Sequence, residues 1–99
     1  MSYEMQITET FDEELCEIEL YLAEQSDQAA LYVKKTIHKR LQPLKSTPYM
    51  YPIYPERPEF RMLVIFRYLI FYKVHEKKKI VEVRHIIHGM REVIKLLSD

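Results

Sequence analysis

Apolar residues recur at helical spacing in two consecutive segments of the N-terminal half. The first stripe consists of Phe11, Leu15, Ile18 and Leu22. The second stripe consists of Ala30, Val33, Ile37, Leu41 and Leu44. Positions three and four residues apart lie on one face of a helix, and Pro43 marks the end of the second pattern. Because only the polar run QSDQ separates the stripes, we predict an antiparallel helix hairpin.

The residues before the first stripe predict a short strand and a helix start. The segment MQIT at 5–8 suits a strand, and TFDE follows at 10–13. A Thr with a Glu three residues later is the signature of a capping box. We therefore predict that Thr10 caps the first helix, with Glu13 reaching back to it.

The C-terminal half changes to a β pattern. The segment 46–60 contains four prolines and three tyrosines. The spaced prolines exclude a helix and disfavour a central strand. The β-prone run 60–74 is too long for one strand, so we predict a turn near Phe66–Arg67. HEKKK at 75–79 then serves as a hairpin loop before the strand 80–87, and MREVIKLL begins a short helix. The predicted fold is a single α+β domain, 1–99, with the helix hairpin on a small antiparallel sheet of about four strands.

Strict alternation assigns the faces of the last two strands. One face of the last strand takes Val81, Val83, His85 and Ile87; the other takes Ile80, Glu82, Arg84, Ile86 and His88. In the preceding strand Leu69, Phe71 and Lys73 oppose Tyr68, Ile70, Tyr72 and Val74. Arg84 and His88 should therefore share a mixed face that is open at its rim.

Composition limits the class of protein. No stretch approaches ~18 uninterrupted apolar residues, as a membrane span needs, and the N-terminus lacks the basic and apolar regions of a signal peptide. Cys16 is the only cysteine, so the chain can form no internal disulfide and no cysteine metal site. His85 and His88 should point to opposite faces, and a single glycine excludes phosphate-binding glycine loops. We expect a cytoplasmic protein with no membrane contact, no metal and no cofactor.

The zero net charge conceals a strong asymmetry. Residues 1–27 carry nine acidic side chains and no Lys or Arg, whereas all fifteen basic residues lie between Lys34 and Lys95. Such segregation suggests a surface that faces an anionic partner. Two solvated helix faces and ordinary hairpin lysines would give the same composition.

The segment RHIIHGMRE at 84–92 contains two histidines, two arginines and the only glycine. Gly89 would allow a sharp turn out of the strand, either through positive φ or through close packing. That turn would project His88 and Arg91 from the rim of the sheet. Alternatively, the turn is only structural and Arg91 pairs with an acid such as Glu13 or Glu17.

The C-terminal segment FRYLIFYKVHEKKKIVEVRHIIHGMRE resembles the ParE/RelE toxin superfamily. The matching residues are Tyr68, Tyr72, Val74, the strand 80–87, His88, Gly89, Arg91 and Glu92. The order of elements in the N-terminal half also agrees. The resemblance implies the toxin of a type II toxin–antitoxin pair, of the kind associated with plasmid stabilisation. It also implies a cognate antitoxin with a DNA-binding part and an acidic tail, and either a homodimer or a toxin–antitoxin hetero-oligomer.

The superfamily leaves three functions open for this chain. Resemblance to the ParE branch would imply a protein that poisons DNA gyrase without known chemistry of its own. The HGMRE segment of this chain is more similar to the ParE branch than to the RelE branch. The RelE branch resembles ribosome-dependent mRNA endoribonucleases, which need a proton-transfer group and cations around one phosphate. For that reading His88 and Arg91 are the catalytic candidates, with Arg61, Arg67, Lys73 and Arg84 as binding residues. Leu69 replaces a strand arginine common in RelE-like proteins, no tyrosine follows Arg91, and the net charge is zero. An inactive toxin-like module that only binds antitoxin is the third alternative.

Overall fold

The structure, a computed structural model, describes residues 2–89 and contains two helices and four strands in this range. The strands are β1 (Glu4–Ile7), β2 (Arg61–Ile65), β3 (Tyr68–His75) and β4 (Ile80–His88). The helices are α1 (Glu9–Ala23) and α2 (Asp27–Leu41), and a single 3-10 turn, Gln42–Lys45, follows α2. The predicted helix after Gly89 falls outside the described residues.

The strands form one open sheet in the order β1-β4-β3-β2. β2, β3 and β4 make the predicted antiparallel meander, with the turn at Phe66–Arg67 and the second loop at 76–79. β1 pairs with β4 in parallel, from Glu4 opposite Ile80 to Ile7 opposite Val83. The α+β class and the four strands are confirmed, but the sheet is mixed rather than wholly antiparallel. A parallel partner is possible because the helix hairpin supplies the long crossover that parallel strands need.

The helix hairpin covers one face of the sheet, which we call the inner face. Both predicted stripes reach the core there: Phe11, Leu15, Ile37, Leu41 and Leu44 are buried. They pack against Leu63, Ile65, Ile70, Tyr72, Val81 and Val83 of the sheet. Burial of these apolar side chains is the main stabilising term of the fold.

The cap of α1 differs from the prediction. The helix begins at Glu9 and its N-cap is Thr8, whose hydroxyl accepts a hydrogen bond from the Phe11 N–H at 3.2 Å. Thr10 lies inside the first turn and is exposed. The capping-box pattern identified the right kind of residue but placed the cap two residues too late. Ser26 caps α2 in the same way, through the Ala29 N–H.

The proline-rich segment closes part of the opposite, outer face. Tyr54 and Phe60 from this segment pack on Phe71 of β3 with ring centroids 5.0 and 6.0 Å from it. Ile53 forms an isolated bridge with Arg61, so the segment also shields the start of edge strand β2. On the inner side, the buried Tyr72 hydroxyl donates to the Pro48 carbonyl at 2.7 Å. The segment therefore contacts β3 on both faces of the sheet.

Candidate functional site

The end of β4 and the turn between β2 and β3 lie together. His88, the last residue of β4, is paired with Tyr68, and their rings are 5.4 Å apart. The Gly89 N–H donates to the Arg67 carbonyl at 3.1 Å. These contacts place Arg67, Tyr68 and His88 at one corner of the sheet.

Gly89 has a φ of +69°, in the left-handed region. A Cβ built on it would meet no atom within 4 Å. Of the two reasons considered for this glycine, the structure shows positive φ and no close packing. Glycine is favoured because other residues pay a steric cost in this conformation.

A β-bulge interrupts the alternation of β4. His85 is opposite Phe71 but Val83 is opposite Tyr72, so Arg84 has no partner on β3. An extra residue of this kind inverts the faces of all later side chains in the strand. Ile86 joins Val81 and Val83 in the inner core, while Ile87 packs on the outer cluster. The predicted faces are correct up to Val83 and wrong from His85 onwards.

Side chains from the start of α1 bind the backbone of β4 beyond the end of β1. The Thr8 hydroxyl donates to the Arg84 carbonyl at 3.2 Å, and the Ile86 N–H donates to a Glu14 carboxylate oxygen at 3.1 Å. The other Glu14 oxygen is 3.4 Å from His85 Nδ1. Thr8 and Glu14 thus continue the hydrogen bonding that a longer β1 would have provided. The sequence has no signal for the role of Glu14, since its partner Ile86 is 72 positions away.

An open groove of about 700 Å³ lies beside this corner, between α1, Val33 of α2, the β2–β3 turn and the end of β4. Tyr68 and Ile86 form its buried floor. Tyr21 and Phe66, which are 62% and 51% exposed, stand on its rim. We call this feature the corner groove. Burial raises the pKa of the Tyr68 hydroxyl above its usual value of 10.0.

Charged side chains of both signs complete the corner groove. Arg67 and His88 lie on the strand side and Glu14 and Glu17 on the helix side. Of the predicted site residues, Arg67 and His88 are therefore brought together here. Tyr21 and Phe66 were not predicted as site residues, because an exposed aromatic side chain looks like a core residue in the sequence.

Lys73 and Arg84 form a second group on the outer face, around the buried ring of Phe60. Lys73 Nζ is 5.0 Å and the Arg84 guanidinium carbon 5.8 Å from the ring centroid. Arg57, which was not predicted, joins them at 5.3 Å. Such cation–π contacts hold the long side chains against the sheet.

The two arginines of the outer-face group have acidic partners. Arg84 lies 3.4 Å from Glu82, which also bonds His75 at 2.9 Å. The hydrogen bond from His75, with a further contribution from Arg84, lowers the pKa of Glu82 below its usual value. Arg57 pairs with Glu59 at 3.2 Å.

Arg61 stands apart from both groups. Its guanidinium donates to the Tyr51 carbonyl at 2.7 Å and lies 4.9 Å from the centroid of the Tyr49 ring. Arg91 falls outside the described residues. The predicted basic residues thus occur as Arg67 with His88, Lys73 with Arg84, and Arg61 alone, rather than as one cluster.

Within residues 2–89 no group of three His, Cys, Asp or Glu side chains is arranged to hold a metal ion. In the same range no helix is long and apolar enough to cross a membrane.

Comparison with known families defines the class of protein. The sequence profile of the ParE toxins of type II toxin–antitoxin systems (parDE) matches residues 5–93. The chain belongs to this family.

Solved structures of toxins share the fold. The chromosomal ParDE system of P. aeruginosa contains a chain with a TM-score of 0.75 and 18% identity, over 89% of this chain and 97% of that one. The toxin–antitoxin complex RelBE2 of Mycobacterium tuberculosis gives 0.64 and 13%, over 89% and 99%. The isolated RelE toxin of E. coli gives 0.60 and 16%, over 97% and 99%. No curated protein sequence matches the chain.

Proposed function

We propose that this ParE-family toxin arrests growth by binding and poisoning DNA gyrase, and that it performs no RNA chemistry of its own. The resemblance of its C-terminal segment to the ParE branch suggests the target. The observation that carries the proposal is the dispersal of the basic residues over separate parts of the surface. Because gyrase acts on DNA in the cytoplasm, the protein would act there too.

Ribonuclease chemistry needs a different arrangement. Cleavage at a ribose 2′-hydroxyl requires a base, an acid and cations within reach of one phosphate. Here Lys73 and Arg84 lie on the outer face, whereas His88 follows the bulge and faces the corner groove. The guanidinium of Arg61 binds main-chain carbonyls. Other outer-face positions that could carry cations hold Met62, Val64, Leu69 and Ile87 instead.

The corner groove is the proposed contact surface for the target. Phe66 has a φ of +57°, a conformation that bulky residues avoid, yet its side chain is half exposed. The conformation matches the first position of a two-residue hairpin turn with positive φ, where Gly is usual. A strained, exposed aromatic residue is better explained by binding than by folding.

A cognate antitoxin is the second proposed partner. The ParDE and RelBE2 neighbours are toxin–antitoxin systems, and the chain belongs to the family of the parDE toxins. An acidic antitoxin tail, as the resemblance implies, would find Lys73 and Arg84 on the outer face and Arg67 at the corner. Whether the antitoxin covers the corner groove determines whether it competes with the target.

RelE-like mRNA cleavage is the alternative that a specific contact favours. His88 stacks edge-on against Tyr68 beside Arg67, so a proton-transfer group and a cation do lie together at this corner. An inactive toxin that only binds antitoxin remains the second alternative.

Two reactions with the purified protein distinguish these functions. In the first, gyrase acts on relaxed plasmid, and we expect loss of supercoiling with accumulation of cleaved plasmid. In the second, a cell-free translation reaction reports protein yield and mRNA 5′ ends, and we expect intact mRNA. Codon-phased cleavage that requires ribosomes would instead establish the RelE-like function. No effect in either reaction would favour the module that only binds antitoxin.

Variants of the turn test the contact surface. Phe66→Gly should weaken gyrase inhibition with little change in the free energy of unfolding, because relief of the backbone strain offsets the loss of the ring contact with Tyr32, whose centroid is 5.8 Å from that of Phe66. Met50→Gly is a suitable control, since Met50 is also 51% exposed but does not line the groove. If Phe66→Gly inhibited gyrase as fully as the wild type, the corner groove would not be the contact surface for the target.

A further inference from the structure

The outer surface of the helix hairpin carries an unpartnered apolar seam. Leu20 of α1 is 64% exposed and Leu31 of α2 is 51% exposed. A shallow, mostly apolar depression between the helices is lined by both leucines together with Cys16, Ala23 and Ala30. The corner groove is lined by none of these five residues.

Exposed residues continue this seam at helical spacing on the side away from the core. On α1 the surface consists of Glu9, Glu13, Cys16 and Leu20, and on α2 of Leu31, Lys35, His38 and Lys39. We call these eight residues the outer helix face. The intervals of four and three along α1 keep its four residues on one face of the helix.

The charges of the outer helix face are divided between the two helices. Glu9 and Glu13 lie on α1, where residues 1–27 contain no Lys or Arg, and Lys35 and Lys39 lie on α2. None of these four residues takes part in an ion pair among residues 2–89. The one ion pair between the helices in this range joins Lys34 and Glu19 at 3.9 Å. One half of the face is therefore anionic and the other half cationic.

We propose that a second copy of this chain docks on the outer helix face to form a two-fold symmetric dimer. A two-fold axis parallel to the helices places α1 of one copy on α2 of the other. Because the helices of the hairpin are antiparallel, the acidic N-terminal half of α1 then meets the basic C-terminal half of α2. An axis across the helices would place α1 on α1 and α2 on α2, so the acids of α1 would not meet the lysines of α2. Symmetric interfaces must be self-complementary, and only the parallel axis satisfies the charges while burying Leu20 and Leu31. The proposal is independent of the toxin's target.

Sedimentation equilibrium of the full chain tests the dimer. We expect the mass to rise with concentration from 12.1 kDa to twice that value, and the dimer to weaken in high salt because its charges are exposed at the rim. Leu20→Asp should abolish association. Val64→Asp is the matched control, since Val64 is 49% exposed on β2, and it should associate like the wild type. A monomer at every concentration would overturn the proposal, as would a dimer that resists Leu20→Asp.

Charge reversal tests the orientation. The variant with Glu9→Lys and Glu13→Lys has a wholly basic face, and the variant with Lys35→Glu and Lys39→Glu has a wholly acidic one. Each should fail to self-associate, whereas an equimolar mixture should form a heterodimer. If each variant dimerises alone and mixing changes nothing, the proposed axis is wrong.

Cys16 reports the surface directly, because it is exposed and is the only cysteine in the chain. Its rate of reaction with a maleimide should fall as the wild-type dimer forms, and should stay constant in Leu20→Asp. An unchanged rate in samples whose mass has doubled would place the dimer contact elsewhere and overturn the proposal.

Discussion

The hydroxyl of Thr8 joins the start of α1 to the bulge of β4. It accepts from the Phe11 N–H at 3.2 Å and donates to the Arg84 carbonyl at the same distance. The Thr8 N–H also donates to the Val83 carbonyl, at 3.1 Å. One residue therefore ends β1, caps the helix and binds the backbone where β4 leaves regular pairing.

Replacing Thr8 should cost more than the loss of an ordinary cap. Thr8→Ala should lower the free energy of unfolding by about 1–3 kcal/mol, as a cap contributes about 0.5–2 and a second hydrogen bond about 1 kcal/mol. Urea unfolding measures the change. Thr10→Ala should be nearly neutral, since Thr10 is exposed in the first turn. If Thr10→Ala lowered the free energy of unfolding more than Thr8→Ala, Thr10 would be the N-cap, as the sequence predicts.

The faces of β4 can be tested by two neighbouring truncations. Ile86 is 2% exposed in the inner core, so Ile86→Ala should lower the free energy of unfolding by about 2–5 kcal/mol. Ile87→Ala should cost less, because Ile87 is only partly buried in the outer cluster. Thermal or urea unfolding of both variants gives the comparison. The reverse order would mean that the bulge at Arg84 is absent.

Tyr72 should make stability depend on alkaline pH. Burial raises the pKa of its hydroxyl from 10.0 to about 12, so the unfolded chain loses this proton at lower pH than the folded chain. The unfolding free energy should therefore decrease as the pH rises from about 10 towards 12. Tyr72→Phe should remove this part of the decrease and cost about 1 kcal/mol at neutral pH through the bond to Pro48. Unfolding curves from pH 8 to 12 compare the two proteins; identical slopes would contradict the shift.

His88 and Arg91 should be needed for growth arrest. His88 is exposed at the end of β4, so His88→Ala should abolish toxicity in an inducible expression assay without changing the unfolding midpoint. We expect the same of Arg91→Ala, although Arg91 lies outside the described residues. His38→Ala, an exposed histidine on α2, should keep its toxicity. Arrest by both variants at the wild-type level would remove these residues from the functional site.

Much of the fold follows from sequence periodicity, because that signal is local. The two stripes record which helix faces meet the sheet, and packing in the core confirms them from Phe11 to Ile18 and from Val33 to Leu44. Leu22 and Ala30, at the hairpin end of the stripes, line surface depressions instead. The two-residue turn was found from strand length alone, without glycine. The sequence contains no comparable local signal for which strands pair with each other. The parallel pairing of β1 with β4 and the choice of Thr8 over Thr10 depend on backbone groups of Val83 and Arg84, far along the chain.

The candidate site was only partly predictable, for a related reason. Alternation in β4 assumes an uninterrupted ladder, and no residue type marks Arg84 as a bulge. A single extra residue moved Ile86 into the core and turned His85 and Ile87 towards the other face. The grouping of basic residues inferred from the sequence changed accordingly. The sequence shows how many cationic side chains there are, but it does not show which face of the sheet each of them occupies.

The position of β4 has a consequence for synthesis in the cell. β4 lies between β1 and β3, yet it is the last of the four strands along the chain. When the nascent chain emerges from the ribosome, β1 and the helix hairpin appear first, and β1 has no partner until residues 80–83 follow. Long-range pairings of this kind form late. The sheet is completed only when β4 is inserted between β1 and β3, so the toxin remains unfinished in the translating cell until residues 80–88 have emerged.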